Sequence, residues 1–407
     1  MKRRVVAAVM LIVAVMTALL SGCNPSAAQR AKNRIAEIPV SAENLVLCGD
    51  KHVTIRQIDY SLPALAKGLI KGKKPDLYQN STYYGRHSAL YTVVYNRNNQ
   101  KRETEGCSLA LVRFDYFTRK ATLLRDMKGI FPVQSYDMAV PSVLQYFDEE
   151  NGRCVLVRNG MLEIVSTETG KTLFSQQMFG AKDYFKADSA PFARRGADMV
   201  CAFYAETVTY YRYTGTGYEV FTFTDEALCE LRAGQFDTVD GALYAVKNGE
   251  TVFAVDILTG NPRDLEEITA LVEEERQESE RLSAQGVSVE QGGAVYYVKA
   301  GDETVDITSD MGATFSVNAA YLREHSAEMR EIENIYAEEF PDRTLQFSVS
   351  FVVDGNRLFI STDAEIQGYG LVSLYTPVLV FELDLAGNGV LWQGMHGGDR
   401  LSGVRFL

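Results

Sequence analysis

Tryptophan is almost missing from this sequence: Trp392 is the one copy in 407 residues, and histidine occurs only four times. No two of His52, His87, His325 and His396 stand at a metal-ligand spacing such as His-x-x-x-His, so the sequence offers no histidine metal site. Cys48, Cys107, Cys154, Cys201 and Cys229 follow Cys23 without any Cys-x-x-Cys pair. Zinc-binding and thioredoxin-like chemistry are therefore unsupported, and an odd count of five leaves at least one of these thiols unpaired. There is no Gly-x-Ser-x-Gly elbow, no Gly-x-x-x-x-Gly-Lys-Ser/Thr phosphate loop and no Asp-rich calcium loop. Clustered basic charge is scarce as well. Lys and Arg number 41 against 53 Asp and Glu, a net −12, and "KGLIKGKKP" (Lys67 to Pro75) is the one basic run, read as a solvated loop. Nucleic acid binding requires clustered Lys and Arg to neutralise phosphates, so nucleic acid is not expected as a partner. From these absences no catalytic, cofactor-binding or metal residue is assigned, and no cofactor is expected.

Apolar residues, at 46%, are abundant enough for a substantial core. Tyr (22) and Phe (20) are plentiful, a mix that suits the pleated, half-buried surface of a sheet. The stretch Val239 to Gly260, VDGALYAVKNGETVFAVDILTG, shows the device that recurs along the chain: strand, Asn-Gly turn, strand, Thr-Gly turn. Asn248-Gly249 between two apolar runs predicts a type I′ hairpin, which needs positive φ at both central residues. Similar units run over Leu45 to Tyr60, Ala89 to Asp126, Val143 to Gln177, Met199 to Thr224, Val287 to Val317 and Phe347 to Gly394. Their last turns fall near Arg119, Thr169, Gly215, Thr259, Asp310 and Gly387. The first three intervals are 50, 46 and 44 residues, and the last two, 51 and 77, contain helical segments. A period in the forties with four short strands is the signature of a propeller blade. The sequence thus predicts an all-β fold, a β-propeller of about seven four-stranded blades (six to eight). Leu45 to Tyr60 would share the seventh blade with the C-terminal LSGVRFL.

Two helical insertions interrupt the period, near 264–284 and 319–340. The first carries Leu265, Ile268, Leu271 and Val272 at helical spacing after Pro262, and its later half is almost all charged. The second is expected to be one amphipathic helix, with Leu322, His325, Met329, Ile332 and Tyr336 spaced 3-4-3-4. They read as decorations on one rim, or as a docking surface for a partner.

The amino terminus has a different character. Lys2-Arg3-Arg4 precedes an apolar run from Val5 to Leu20, broken only by Thr17, and Ser21-Gly22 precedes Cys23. This is the pattern of a signal peptide, with an apolar run shorter than the ~20 residues of a bilayer-spanning helix. Leu20-Ser21-Gly22-Cys23 resembles the bacterial lipobox. The resemblance implies that the Cys23 thiol receives a diacylglyceryl group, that cleavage occurs before Cys23, and that the new amine can be acylated with a fatty chain such as palmitate. The expected division is a signal peptide over 1–22, a flexible tether over 23–38 ("NPSAAQRAKNRIAE" being small and polar), and the propeller over 39–407.

"LEIVSTETGKTLFS", "VFAVDILTGNPRDL" and "VFELDLAGNGVLWQ" resemble the repeat of quinoprotein-like propellers, in which an apolar strand ending near Asp leads through Thr-Gly into an aromatic-containing strand. The resemblance implies the fold but not the cofactor, since the Trp docking positions and the adjacent cysteines of the quinone-dependent dehydrogenases are missing. Cys107, Cys154 and Cys201, each 47 residues apart, read as small buried hydrophobes in successive blades. "YQNSTYYGRHSALY" (Tyr78 to Tyr91) reads as a Tyr-rich entry loop or, second, a recognition surface. His396, with Asp399 in "GMHGGDR", reads as part of a Gly-rich loop and only second as a ligand contact. The function expected is that of a lipid-anchored protein on the extracytoplasmic face of the cell membrane, binding or scaffolding a protein or envelope polymer. The alternatives are a carbohydrate-active enzyme with carboxylates at the channel and a sensor subunit of a membrane complex.

Overall fold

The computed structural model describes residues 26–40, 44–70, 73–96, 107–131, 144–158, 161–177, 192–194, 199–204, 206–214, 217–229, 231, 235–369, 372–375, 377–387, 389–397 and 400–407. The signal sequence, the lipobox, Gly215 and Asp399 lie outside them. The chain divides into a larger unit, Asn44–Val287 with Ser402–Leu407, and a smaller one, Met1–Glu43 with Ser288–Leu401. The fold is mostly β, and the described strands form seven sheets, mainly four-stranded antiparallel ones.

The larger unit holds five sheets, each a meander of consecutive strands apart from one join. Sheet 1 is β1 (Leu45–Gly49), β2 (His52–Ile55) and β3 (Ile58–Ser61), with the C-terminal strand β28 (Leu401–Phe406) hydrogen-bonded beside β1. Sheet 2 is β4 (Lys73–Tyr84), β5 (Ser88–Asn96), β6 (Cys107–Asp115) and β7 (Lys120–Phe131). Sheet 3 is β8 (Leu144–Asp148), β9 (Arg153–Arg158), β10 (Met161–Ser166) and β11 (Thr172–Gln177). Sheet 4 is β12 (Phe192–Arg194), β13 (Met199–Tyr204), β14 (Thr207–Tyr213) and β15 (Tyr218–Thr224). Sheet 5 has three strands, β16 (Phe236–Val239), β17 (Ala242–Lys247) and β18 (Glu250–Asp256). Here Pro262 forms only an isolated bridge to Val255 where a fourth strand would run, because proline has no N–H for a ladder.

Period-2 patterning decides how these sheets stack. Along β5, Ala89, Tyr91, Val93 and Tyr95 enter a core shared with sheet 1, while Leu90 and Val94 enter one shared with sheet 3. Along β9, Cys154 and Leu156 face sheet 2, whereas Val155 and Val157 join Tyr211 of sheet 4. Tyr210 and Val208 then face Phe253 and Val255 of sheet 5. Both faces of a middle sheet are therefore apolar, and a one-residue slip would exchange the two cores. Each such Val or Leu contributes roughly 1.5–3 kcal/mol by leaving water.

The smaller unit contains sheet 6, β19 (Val287–Gln291), β20 (Ala294–Ala300), β21 (Val305–Ser309) and β22 (Thr314–Val317), and sheet 7, β23 (Thr344–Asp354), β24 (Arg357–Tyr369), β26 (Val378–Asp384) and β27 (Gly389–His396), with β25 (Val372–Tyr375) beside β24. Their shared core also takes in helices α1 (Ala27–Ala36), α4 (Ala319–His325) and α5 (Ala327–Glu339). The larger unit has the short helix α2 (Leu62–Ala66) and the long helix α3 (Leu265–Gln285).

Three local expectations change. Residues 27–36, expected within a flexible tether over 23–38, form helix α1. Ser26 caps it by accepting from the Gln29 N–H at 3.2 Å, and Ala31, Ile35 and Ile38 are buried in the core. The polar composition hid this, because only every fourth residue is buried. The segment 319–340 is two helices, not one: Ser326 ends α4 and accepts from Met329 N to start α5. That break takes His325 off the apolar stripe. Tyr78–Tyr84 is strand β4 rather than an entry loop. By contrast, Lys247–Glu250 is the expected hairpin, with φ of 53° at Asn248 and 88° at Gly249. The first helical insertion spans Leu265–Gln285, capped by Asp264.

Candidate functional site

A repeated turn is the most regular chemical feature of the chain. It follows the third strand of sheets 2, 3, 5 and 7. In sheet 2, Asp115 Oδ1 accepts from Thr118 N at 2.7 Å and Thr118 Oγ1 at 2.8 Å. In sheet 5, Asp256 Oδ1 does the same with Thr259, both at 2.8 Å, and also accepts from Leu258 N at 3.1 Å. Ser166 Oγ and Asp384 Oδ1 fill the role in sheets 3 and 7. Side-chain acceptors of this kind stand in for a backbone turn. The chain then reverses through a left-handed residue, Arg119 (φ 57°), Gly170 (φ 69°) or Gly260 (φ 71°). Hydrogen bonds from Thr259 hold the Asp256 carboxyl below its ordinary range.

In sheets 3, 5 and 7 the same turn latches the sheet to the one before it. Arg113 Nη1 donates to Thr167 O at 3.4 Å, Tyr210 OH to Ile257 O at 3.2 Å, and Tyr296 OH to Leu385 O at 3.1 Å. All three acceptors immediately follow the turn's acceptor residue. Gly170 sits so close to β7 that a Cβ there would meet Leu124 O at 1.9 Å. These turns build the stack.

The histidines are dispersed. His52 opens β2 opposite Ser61, His325 is exposed and stacks on Tyr321 at 4.0 Å between centroids, and His87 donates its backbone N–H to Glu149 Oε1 at 3.0 Å. His396, expected in a Gly-rich loop, instead ends β27 opposite Val378 and is fully buried, so the strand claims it before the glycines begin. Cys48, Cys154 and Cys201 are buried and in no disulfide, and Cys229 is exposed. Burial pushes the Cys154 thiol up to about 12, so it is no nucleophile. Cys154 and Cys201 lie on the second strands of successive sheets, whereas Cys107 begins a third strand. Among the described residues no group of three or more His, Cys, Asp or Glu could hold a metal ion.

One buried polar cluster escaped sequence reasoning. The Arg153 guanidinium lies 3.7 Å over the Tyr213 ring and its Nε donates to Asp148 Oδ2 at 2.8 Å. Burial raises the Asp148 carboxyl, but hydrogen bonds from Arg153 and Asn151 outweigh it, leaving the group below its ordinary range. Burial likewise lifts the Tyr218 hydroxyl to about 12. Phe174 packs on Tyr218 at 4.4 Å, closing the cluster between sheets 3 and 4. Its members sit on five different strands, so no motif announces it.

At the amino terminus, α1 is fixed to α5. Arg30 Nε donates to Glu339 Oε2 at 2.7 Å, and Arg34 Nη2 to Glu338 Oε2 at 2.7 Å. The buried faces of α4 and α5, with Leu322, Met329, Ile332, Ile335 and Tyr336, are used up by their own core, so that stripe is not a free docking face. On α3 only Ile268 is buried, with Leu271 and Val272 half-buried on sheet 5, and residues 273–285 are exposed and laced by Glu273–Arg276 and Glu278–Arg281 pairs. Cys23, the expected lipidation site, lies three residues before the Ser26 cap and outside the described residues. Among the described residues no helix is long and apolar enough to cross a membrane.

No protein-family model matches the chain, and no curated protein matches it. Among solved structures it is similar to the AfRom2 CNH domain (TM-score 0.28, 10% identity, covering 87% of this chain and 99% of that one). It is also similar to the S. cerevisiae core factor (TM-score 0.25, 8% identity, 91% of this chain and 57% of that one). A third is a Bacteroides ovatus protein described as a dipeptidyl aminopeptidase IV (TM-score 0.26, 7% identity, 80% of this chain and 51% of that one). The chain therefore spans just over half the length of the latter two. All three scores are low, and neither fold nor function is carried over from them.

Proposed function

We propose that this chain is a lipoprotein anchored through Cys23 on the extracytoplasmic face of the cell membrane, and that its sheets form a closed propeller which binds or scaffolds a protein or envelope polymer. The observation that carries the anchor is the run from Lys2 to Cys23, in which basic residues, an apolar stretch and Leu20-Ser21-Gly22-Cys23 stand in the order that export and lipidation require. The closed propeller is supported by seven successive sheets and by β28, the C-terminal strand, which pairs with β1 in sheet 1. Closure of that kind removes free sheet edges, which an exported domain must protect.

Binding is favoured over catalysis because the polar clusters found serve the stack itself: the repeated turns, the Arg113, Tyr210 and Tyr296 latches, and Arg153 with Asp148. The test is expression of the full chain and of Cys23→Ser with radiolabelled palmitate. The native chain is expected to take up label and fractionate with membranes, and the variant to lose both. Label on neither, with the leader still attached, would overturn the anchor. Cross-linking in intact cells followed by mass spectrometry is expected to return a recurrent envelope partner. Turnover of an added glycan, with no partner recovered, would replace binding by enzymatic action.

A further inference from the structure

The distance between the anchor and the folded protein is shorter than the sequence implied. Helix α1 begins at Ala27 with its cap at Ser26, and it is part of the smaller unit's core through Ala31, Ile35 and Ile38. Between the Cys23 thiol and the first fixed residue there are only Asn24 and Pro25. Three residue steps, fully extended, reach roughly 10 Å. A headgroup layer is itself roughly 6 Å thick.

We infer that the smaller unit docks on the phospholipid headgroups of the membrane that holds its anchor, through the exposed face of α1 and the turn after α5. This rests on the lipid-anchor reading above. Arg30 is one helical turn from Ser26, or about 6 Å along the axis. Its ion pair with Glu339 brings the end of α5, and with it the exposed residues Pro341, Asp342 and Arg343, into the same neighbourhood.

Charge does not oppose this face, although the one basic run, Lys67 to Pro75, lies in the larger unit. Removing Lys2, Arg3 and Arg4 from the 41 basic residues leaves 38 against 53 acidic ones, a net −15 for the mature chain. An anionic leaflet repels such a protein unless a less negative patch faces it. Residues 26–40 supply Arg30, Lys32 and Arg34 against Glu37 alone. Arg30 and Arg34 also neutralise Glu338 and Glu339 by ion pairing. The face nearest the anchor is thus close to neutral within an acidic protein. A three-residue leash on a folded helix holds the domain on the bilayer, where a sixteen-residue tether would have lifted it away.

The test uses the full chain in native-like membranes doped with a photoactivatable phospholipid. Cross-linked peptides are located by mass spectrometry, and palmitate on Cys23 is measured in the same preparation. Cross-links are expected to concentrate in residues 26–37 and 338–344. Inserting about 20 Gly and Ser residues between Pro25 and Ser26 lengthens the leash to a mean span of roughly 26 Å. Their yield is then expected to fall about tenfold, following the dilution of a longer linker, with palmitate unchanged. Palmitate with cross-links spread evenly over the domain, or a yield that ignores the insertion, would overturn the docking and leave the anchor standing. Absence of palmitate would overturn both.

Discussion

Replacing Ile35 by Ala separates a folded α1 from a loose tether. Ile35 is fully buried, in one core with Trp392, Tyr336 and Met395. The change removes three carbons, worth about 0.8 kcal/mol each in transfer free energy, and leaves a cavity whose lining cannot fully collapse. The expected loss is about 3 kcal/mol. Trp392 is the single tryptophan and lies 2% exposed in that core, so its fluorescence reports this unit without added labels. With a urea dependence of about 2 kcal/mol per molar, the midpoint should fall by about 1.5 M in the Trp392 transition of the detergent-solubilised mature chain. Gln29→Ala, on the exposed face of the same helix, should cost no more than about 0.5 kcal/mol. If Ile35→Ala moved the midpoint no further than Gln29→Ala, α1 would not be part of the core. The close approach of the domain to the membrane would fall with it.

Gly170 and Gly249 both have positive φ, but only Gly170 faces Leu124 O, while open space surrounds Gly249. Gly249→Ala should cost about 1 kcal/mol from backbone strain, and Gly170→Ala roughly 3 kcal/mol or more because β7 must also shift. Equal midpoints in thermal or urea melts would refute the latch at that turn. Asp256 has its carboxyl held low by Thr259, so its contribution is present in full above its unfolded value near pH 4 and is lost as pH falls through its folded value. Asp256→Asn should therefore narrow the gap between native and variant midpoints on going from pH 6 to pH 3. A gap independent of pH would show that the ionised carboxylate is not what holds the turn.

What could be read from the sequence was local. Asn248-Gly249 specifies its own turn because two positive φ values suit few other residue pairs, and the Asp256-to-Gly260 turn closes on its own side chains within five residues. The strand content and the length of the unit follow from alternation and turn spacing, both of which are properties of neighbours in the chain. The charged second half of α3 was legible for the same reason, since its ion pairs are three and four residues apart.

What tertiary structure decided was everything set by partners far away in sequence. Helix α1 looks like a linker until sheet 7 and α5 supply the surface that buries Ala31 and Ile35 and the carboxylates that meet Arg30 and Arg34. The Arg153 cluster draws on five strands and the latches cross from sheet to sheet; the pairing of β28 with β1 is the exception, a distant contact that the repeat pattern did lead one to expect. His325 sat on an apolar stripe only while residues 319–340 were counted as one helix, and a serine cap that outcompeted helix continuation moved it to the surface. Periodicity encodes which residues want to leave water. It does not encode what will cover them, because burial is a property of the contact and not of either residue alone.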